Sequence, residues 1–571
     1  MKKLLLTTLA LAFTIGVYAQ GNKTMNNALS APNNKIVDTE KMQSAPVQAN
    51  KSQAVKSVRQ TTNQRAAAIS VVPMGNAANT FTSIGARTQL FAMPSLNTVG
   101  FIHRSTTSSQ TPAGLGSGYF LYDVSMDGGA TWSVNNGPIF DPTDTIVAAF
   151  ANGRYPQGLL YNPVGNTDPM NAYWSWHGPT LTGLNGGSWG SYAYGSAKLD
   201  GSTTVQRQDD QPGAGGYYQV ADDMANGLPG EVWVVEPSIN LGLAVPDYID
   251  SLMVRKGVWN AATSDFDYTD IVVPFPVSAD ADSNKQMAVT SVAFDASGQT
   301  GYIVALAHLD YTVEPDSVLT ICHIKTTDGG ATWSAPAMVD ISSIVDPILQ
   351  SDPNGSYTTA FEAKTAVDIN GNLHVACAIG PDASGFSIGT TAGEWGVFDI
   401  YTTDGGTTWE ALLGGTPQQF RGTWDPGNFD LTEDSRPYLT TSMDHEKVFL
   451  SWLDTDSLVF GTYDGNSHPD LWMIGLNTTT GLATLPVNLT AGTAADGEVS
   501  YGVASKYAFE PVMGTYEIPY CYMINDPTSS STDMKPFNYI KGIEFTDADF
   551  VVGIDDIQND LGTLTGAYPN P

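Results

Sequence analysis

Short runs of β-branched and aromatic residues alternate with clusters of Gly, Asn, Asp and Pro from Ile69 to about Val552. The runs at 231–235 (EVWVV), 301–307 (GYIVALA) and 447–453 (KVFLSWL) have the length and composition of buried β-strands. No long stretch repeats its apolar residues with the period of an amphipathic helix. The pattern therefore predicts an all-β domain built from many short strands.

Three octapeptides repeat one another within this domain: 125–132 (SMDGGATW), 326–333 (TTDGGATW) and 402–409 (TTDGGTTW). In such a segment Asp accepts hydrogen bonds from nearby backbone N–H groups, Gly supplies the positive φ of a tight corner, and Trp adds a large apolar surface. The pattern predicts three hairpin turns of the same structure. Their defining residues are Ser125, Asp127, Gly129, Thr131 and Trp132, then Thr326, Asp328, Gly330, Thr332 and Trp333, and finally Thr402, Asp404, Gly406, Thr408 and Trp409.

The octapeptides resemble the Asp-box, also called the BNR repeat, of the sialidase-like β-propeller superfamily. The resemblance implies that each box joins the third and fourth strands of a four-stranded antiparallel blade, at the edge away from the ligand pocket. It also implies that the carboxylates of Asp127, Asp328 and Asp404 stabilise turns and perform no chemistry.

A second periodicity indicates the number of blades. Each box follows a candidate innermost strand by about 40 residues, and the candidate strands themselves recur about every 65 to 75 residues, which suits large blades. We predict seven blades, of which the first, fourth and fifth carry the box, with six blades as the alternative. The segment 69–73 is expected to close the ring against the last blade. The innermost strands are predicted to begin near Arg87, Arg154, Asp222, Met287, Glu362, Arg436 and Glu510.

The starts of the innermost strands surround one mouth of the central channel in a propeller. Arginines and carboxylates that converge in such a concave site can bind an anion or exchange protons. The charged residues that we expect to face this common funnel are Arg87, Arg154, Asp222, Asp223, Glu362, Arg436 and Glu510.

A sialidase of the superfamily that the chain resembles holds its substrate carboxylate with three arginines. It uses a Tyr–Glu pair as nucleophile and an Asp as acid/base. Arg87, Arg154 and Arg436 are the candidate triad here, but Arg87 is followed by Thr-Gln and not by the Ile-Pro of the family signature. Tyr438 and Tyr507 are nominees for the nucleophile, without a motif that selects either. The departure favours a propeller that binds a ligand without cleaving it.

The composition narrows the choice of partners. A net charge of −33 repels nucleic acid and anionic membrane surfaces, and leaves cations, cationic proteins and neutral glycans as partners. The three cysteines, Cys322, Cys377 and Cys521, each lie in an apolar run and are expected to be buried thiols. The histidines lack paired zinc spacing, and no phosphate-binding loop is present, so neither zinc nor a nucleotide cofactor is expected. The segment 280–284 (DADSN) is only a weak match to a calcium loop.

Both ends of the sequence contain a candidate targeting signal. Lys2 and Lys3 precede an apolar run from 4 to 17 and a small-residue cleavage site at 17–19, which predicts a signal peptide over residues 1–19. A polar leader at 20–68 is expected to be disordered. The propeller is predicted over 69–552 and a linker over 553–571, which ends in Tyr568-Pro569-Asn570-Pro571. This ending resembles the start of the C-terminal sorting domain of Bacteroidetes type IX secretion, and implies export to the cell surface or the medium.

Two functions remain open at this point. The first is an exported, non-catalytic propeller that binds a glycan or a protein, and the second is a glycoside hydrolase or lyase with a divergent site. The aromatic segment 173–194 (YWSWHGPTLTGLNGGSWGSYAY) and the loop at 423–425 are additional candidate binding surfaces, because aromatic faces stack on sugars and anchor proteins.

Overall fold

The computed structural model describes residues 69–553, except for 84–86, 106–115, 145–151, 183–187, 211–216, 219–221, 241–246, 280–284, 286, 311–317, 384–387, 392, 421, 424–431, 434, 456–465 and 525–532. The predicted signal peptide and leader lie outside the described residues, as do the linker beyond 553 and the segment 280–284. None of the helices within the described part of the chain is both long and apolar enough to cross a membrane.

Seven antiparallel sheets form the domain, and each serves as one blade of a β-propeller, which confirms the predicted fold. The first described strand is β1 (Ser70–Ala77). Blade 1 contains β2 (Leu90–Met93), β3 (Thr98–Arg104), β4 (Phe120–Ser125) and β5 (Ser133–Phe140). Blade 2 contains β6 (Gln157–Tyr161), β7 (Tyr173–Thr182), β8 (Ser188–Lys198) and β9 (Thr204–Asp210). Blade 3 contains β10 (Tyr217–Tyr218), β11 (Asp223–Asn226), β12 (Glu231–Asn240), β13 (Asp247–Asn260) and β14 (Asp265–Pro274).

Blades 4 and 5 follow the same plan and are joined by the helix α1 (Ile341–Leu349), which begins after Asp340. The Asp340 side chain accepts a hydrogen bond from the Ser343 N–H and so caps this helix. Blade 4 contains β15 (Met287–Phe294), β16 (Gly301–Ala307), β17 (Thr320–Thr326) and β18 (Ala337–Met338). Blade 5 contains β19 (Tyr357–Val367), β20 (Leu373–Pro381), β21 (Gly396–Thr402) and β22 (Trp409–Gly415).

The last two blades share strands with the end of the described chain. Between blades 5 and 6 lies the small pair β23 (Gly422–Thr423) and β24 (Thr432–Glu433). Blade 6 contains β25 (Tyr438–Thr441), β26 (Lys447–Thr455), β27 (Pro469–Asn477), β28 (Leu482–Ala483) and β29 (Val487–Asn488). The strands that follow are β30 (Ser500–Ala504), β31 (Phe509–Val512), β32 (Thr515–Glu517), β33 (Tyr520–Met523), β34 (Lys535–Lys541), β35 (Glu544–Thr546) and β36 (Val552–Gly553).

The ring is closed by the two ends of the propeller sequence. Blade 7 has the order β30, β33, β34, β1, so the first described strand is its outermost strand. Strand β1 pairs antiparallel with β34, from Ser70 opposite Lys541 to Ala77 opposite Lys535. The innermost strands contact one another in sequence around the axis, and β30 of blade 7 contacts β2 of blade 1. The expectation that segment 69–73 closes the ring is therefore confirmed.

Burial within each blade follows from its place between two neighbours. Inner and middle strands are covered on both faces, and β16 is buried along its whole length. For this reason its sequence is an unbroken apolar run, without the alternation of a sheet that has one wet face. Outer strands such as β5 and β14 contain several exposed residues, because their outer edge faces water.

The predicted innermost strand of blade 7 is wrong. The innermost strand is β30, whereas Glu510 lies on β31 in a small sheet with β32 and β35. The hairpin of β31 and β32 connects β30 to β33, which are the first and second strands of blade 7. The segment around Glu510 resembles a blade strand because it forms a β-hairpin, but the hairpin lies outside the blade.

Candidate functional site

The order of strands in a blade defines two faces of the propeller. Consecutive antiparallel strands reverse direction, so the turns after the first and third strands lie at one face, and the starts of the innermost strands lie at the other. We call these the box face and the funnel face. The three octapeptides connect β4 to β5, β17 to β18 and β21 to β22, and so lie on the box face of blades 1, 4 and 5.

The three octapeptide turns share one hydrogen-bond network. In blade 1 the Ser125 hydroxyl donates to Asp127 Oδ1 (2.7 Å) and accepts from the Gly129 N–H (2.7 Å). The carboxylate of Asp127 also accepts from the N–H (2.9 Å) and hydroxyl (2.6 Å) of Thr131. These exposed carboxylates are engaged in holding turns. The same bonds recur in Thr326, Asp328, Gly330 and Thr332, and in Thr402, Asp404, Gly406 and Thr408.

The tryptophan that ends each octapeptide packs against the preceding blade. Trp132 lies 5.3 Å from the ring of Tyr539 in blade 7, and Trp409 lies 5.3 Å from His323 in blade 4. The second glycine of each turn has a positive φ, and a Cβ on Gly129 would lie 2.2 Å from Tyr539. The turn therefore requires glycine for its backbone and for close approach to the neighbouring ring.

Asp223 is the centre of a buried network on the propeller axis. Its Oδ1 accepts from the hydroxyl of Thr88 (2.6 Å) and from Lys364 Nζ (3.1 Å). Its Oδ2 accepts from the Ser291 hydroxyl (2.6 Å), the Val292 N–H (3.1 Å) and Lys506 Nζ (2.8 Å). Burial would raise the pKa of Asp223, but the two ammonium groups lower it below its usual range. This hub joins blades 1, 3, 4, 5 and 7, and its carboxylate is fully occupied.

The neighbouring Asp222 lies beside the hub but has a different environment. It is buried and accepts hydrogen bonds from the N–H and the hydroxyl of Thr290, both at 3.0 Å. Burial raises the pKa of Asp222 to about 6, against the opposing charge of Arg87. The Arg87 guanidinium lies 4.8 Å from the ring centroid of Tyr155 in blade 2. Asp222 and Arg87 are thus close enough to interact electrostatically.

Arg436 is buried at the start of the blade 6 inner strand and is tied to other parts of the ring. Its Nη2 donates to the carbonyl oxygen of Ser83 (2.8 Å), and its guanidinium lies 4.8 Å from the ring of Tyr501 in blade 7. Arg436, Tyr501 and Tyr155 all adopt positive φ, at 45°, 50° and 45°. Non-glycine residues in this region carry backbone strain. These three strained residues lie where arginines of one blade stack on tyrosines of the next.

The other predicted funnel residues divide between the two faces. Glu362 is half-buried on β19, the innermost strand of blade 5. Glu510 is exposed on the box face and accepts a hydrogen bond from the Gly514 N–H (2.7 Å), so its assignment to the funnel is wrong. The connection that carries it begins after β30 on the box face. Tyr507 lies in the same connection, on the box face, and so is not placed to act as a nucleophile in the funnel. Tyr438 is buried beneath Lys364.

Two arginines, Arg104 and Arg154, lie together on the funnel face, and the sequence predicted only Arg154 as a funnel residue. Arg104 ends β3 and is buried, and Arg154 is half-buried just before β6. The Ser117 carbonyl oxygen accepts from Arg104 Nε (2.8 Å) and from Arg154 Nη1 (3.5 Å). Burial lowers the pKa of Arg154 to about 10, and burial and the charge of Arg154 lower that of Arg104 well below its usual value. Within the described residues, neither guanidinium pairs with a carboxylate.

A second buried cluster between blades 2 and 3 was missed entirely. His177 Nε2 on β7 lies 3.4 Å from Glu236 Oε1 on β12, and both side chains are almost fully buried. Burial lowers the pKa of His177 well below its usual value and raises that of Glu236 to about 8, so both are neutral at pH 7. A charged residue inside the apolar run of β12 was the available signal.

Aromatic residues of the segment 173–194 contribute mainly to packing. Trp174 and Trp176 on β7 are fully buried between blades, as are the thiols of Cys322, Cys377 and Cys521. Trp424 and Asp425 lie outside the described residues, and so does the weak calcium candidate at 280–284. No group of three or more His, Cys, Asp or Glu side chains in the described part of the chain is placed to hold a metal ion.

Comparisons with known proteins give only distant structural similarities. No protein-family model matches the chain, and no curated protein matches its sequence. An α-L-arabinofuranosidase of Fusarium graminearum is 12% identical with a TM-score of 0.37, over 68% of this chain and 93% of that one. A mutant NanB sialidase of Streptococcus pneumoniae is 11% identical with a TM-score of 0.35, over 84% and 71%. A Trypanosoma rangeli sialidase in complex with sialic acid is 11% identical with a TM-score of 0.35, over 68% and 54%. The fold assignment rests on the seven sheets of this chain, and these similarities carry no conclusion about what it binds.

Proposed function

We propose that this chain is an exported, non-catalytic β-propeller that binds an anionic glycan on its funnel face at Arg104 and Arg154. The observation that carries the proposal is the pairing of two guanidinium groups without a carboxylate partner among the described residues. A protein with 58 acidic and 25 basic residues has ample carboxylates to neutralise such a pair. Two adjacent, partly desolvated positive charges favour an anion supplied from outside the chain.

The exposure of the two arginines supports the same proposal. Arg154 is partly exposed and Arg104 is buried, and both guanidinium groups donate to the Ser117 carbonyl oxygen. Arg154 can therefore contact a ligand while Arg104 adds positive charge. A carboxylate or sulfate group on a sugar has the size and planar or tetrahedral oxygen arrangement that a guanidinium recognises.

The state of the other funnel residues supports binding without cleavage. The carboxylate of Asp223 is occupied by five donors, and Arg436 is engaged with a backbone carbonyl and with Tyr501. A retaining glycosidase needs a nucleophile and an acid about 5 Å apart. Of the two tyrosines nominated for the nucleophile, Tyr507 lies on the box face and Tyr438 is buried.

The proposed location outside the cell rests on the sequence. The basic and apolar start at 2–17 supports export, and the Tyr-Pro-Asn-Pro ending supports the type IX route and its sorting domain. The octapeptides support membership of the Asp-box propellers, because their side chains form one repeated network. Under this proposal the partners are the type IX secretion machinery and an anionic glycan at the cell surface or in the medium.

The test is a glycan array that contains neutral, carboxylated and sulfated glycans, probed with the purified protein and with Arg154→Gln. We expect binding to acidic glycans that weakens about 10- to 100-fold in Arg154→Gln, because one charge-assisted hydrogen bond is lost. Lys198→Gln is the matched control, since it removes one positive charge from a different place, where Lys198 pairs with Asp200. The carboxylated and sulfated arms of the array distinguish the two sources of negative charge.

Two results would contradict the proposal. Binding restricted to neutral glycans, or equal loss in Arg154→Gln and Lys198→Gln, would remove the arginine pair from recognition. Turnover of fluorogenic glycosides that is lost in Asp222→Asn and retained in Glu510→Gln would establish the enzyme alternative. Asp222 is the relevant residue because burial raises its pKa to about 6, in the range of a general acid.

A further inference from the structure

A cavity on the box face lies away from the funnel. It has a volume of about 1150 Å³ and lies beside blade 5. Helix α1 contributes Ile344 and Ile348, the turn after β19 contributes Asp368, and blade 6 contributes Leu476 and Gly481. We call this cavity the box-face groove. Its size is that of a small-molecule site.

A row of three side chains crosses blade 5 along the groove. His374, Tyr401 and Glu410 are neighbours in register on the second, third and fourth strands, and all three line the groove. The His374 and Tyr401 rings stack at 5.2 Å with an angle of 10° between their planes. The Tyr401 hydroxyl donates to Glu410 Oε2 at 2.7 Å. The row runs from His374 and Tyr401, which are buried, to Glu410, which is exposed.

His374 is held between two carboxylates at the buried end of the row. Its Nδ1 bonds to Asp399 Oδ2 at 2.7 Å, and its Nε2 forms an ion pair with Asp368 Oδ2 at 3.8 Å. Burial lowers the pKa of His374, but the two carboxylates raise it to about 9, so the ring is protonated at neutral pH. This pairing fixes the ring and leaves Glu410 as the member of the row that a ligand can reach.

The corresponding position of blade 4 is closed. His374 is the second residue of β20, and Tyr302 is the second residue of β16. The Tyr302 hydroxyl donates to the carbonyl oxygens of Gly371 (3.1 Å) and Gly405 (3.4 Å) in blade 5, and so fills the space between these blades. Between blades 5 and 6 the equivalent space remains open. The groove is therefore a local feature of blade 5 and not a general consequence of the fold.

We propose that the box-face groove is a second binding site, which takes a neutral carbohydrate. The carboxylates of Asp368 and Glu410 outnumber the His374 imidazolium, so an anion is disfavoured there. Glu410 can accept from sugar hydroxyls, and Ile344 and Ile348 offer an apolar wall to the carbon face of a sugar ring. This combination of a charged acceptor and an apolar surface fits an uncharged polyhydroxylated ligand.

The test is titration of the protein with cellotetraose, chitotetraose and mannotetraose, followed by calorimetry and by saturation-transfer NMR. We expect one of the three to bind, with affinity about tenfold weaker in Glu410→Gln, because a charged acceptor is lost. Glu510→Gln is the matched control, as it makes the same change on the same face outside the groove. Because Glu410 is exposed, its variant is expected to fold, which circular dichroism checks.

The design separates the groove from the funnel. Arg154→Gln must leave tetrasaccharide binding unchanged if the groove is the site. Absence of binding by all three oligosaccharides at millimolar concentration would overturn the proposal. Binding that is lost in Arg154→Gln and retained in Glu410→Gln would also overturn it, and would assign neutral glycans to the funnel.

Discussion

Two clusters of positive charge in this propeller have opposite arrangements. At the hub, the ammonium groups of Lys364 and Lys506 share the carboxylate of Asp223, and Thr88 and Ser291 complete its hydrogen bonds. At the edge of the funnel, Arg104 and Arg154 share only a backbone carbonyl. Both clusters join neighbouring blades, but only the hub contains its own counter-charge.

The difference separates a structural role from a binding role. Buried charges in folded proteins are stable when they are paired and hydrogen-bonded within the chain. The hub meets this requirement with residues from five blades, so it holds the ring closed and has no capacity left for a ligand. Among the described residues the arginine pair has no carboxylate partner, and for that reason it is the better candidate for recognition.

The largest predicted effect is the loss of stability when the hub loses its carboxylate. Asp223→Asn removes the carboxylate that forms ion pairs with both Lys364 and Lys506, so two buried ammonium groups lose this shared counter-charge. We expect the free energy of unfolding to fall by about 3–5 kcal/mol, as for other buried pairs that lose one partner. Denaturant titration followed by tryptophan fluorescence measures the change.

A matched pair of variants sharpens this prediction. Asp127→Asn changes an exposed carboxylate that also has several donors, and should cost about 1 kcal/mol, because water replaces the lost bonds. The double variant Asp223→Asn with Lys506→Met should recover part of the loss. If Asp223→Asn costs no more than Asp127→Asn, the hub does not stabilise the ring.

The hub and the funnel also differ in how far the sequence predicted them. The octapeptides and the spacing of inner strands led to seven blades, because turn chemistry is local and repeats with the blade. The sequence placed Asp222, Asp223, Arg87 and Arg436 near the axis, since each begins an inner strand. It could not show that Lys506 reaches Asp223, because the two residues are brought together only by closure of the ring.

Two errors have specific physical causes. The inner strand of blade 7 was missed because β30 has only five residues and contains Tyr501 at positive φ, which interrupts its alternation. Arg104 was missed because it ends a second strand, whereas only the starts of inner strands were considered. A charged residue at the end of the buried run of β3 was a usable signal for it.

The next prediction concerns a carboxylate without a close cation, which is kept neutral. Burial raises the pKa of Glu236 to about 8, so the folded protein holds a proton that the unfolded chain releases above its normal pKa. The stability of the wild type should therefore fall between about pH 4.5 and 8, by up to about 1.4 kcal/mol for each pH unit from this group. Glu236→Gln mimics the protonated form and should lack this component.

The measurement is the difference in unfolding free energy between Glu236→Gln and the wild type at pH 5, 6, 7 and 8. The difference should move in favour of the variant as pH rises and should level off above about pH 8. Glu510→Gln, in the exposed hairpin of the box face, is the control for the loss of one carboxylate. A difference that is constant across this range would show that Glu236 is ionised in the folded protein.

The smallest predicted effect returns to the arginine pair. Arg104→Gln removes a desolvated charge that is repelled by Arg154, but it also loses bonds to Ser117 and Asn79. These contributions oppose one another, so stability should change by less than about 1 kcal/mol, in contrast to the hub.

Sulfate should then stabilise the wild type more than the variant, by about 0.4 kcal/mol when its concentration equals the dissociation constant. Melting temperatures in sodium sulfate and sodium chloride of equal ionic strength test this, with Lys198→Gln as the control for net charge. Because sulfate stabilises most proteins in a general way, only the difference between variant and wild type counts. Equal stabilisation of all three proteins would mean that the pair binds no anion and that its positive charge is tolerated by solvent alone.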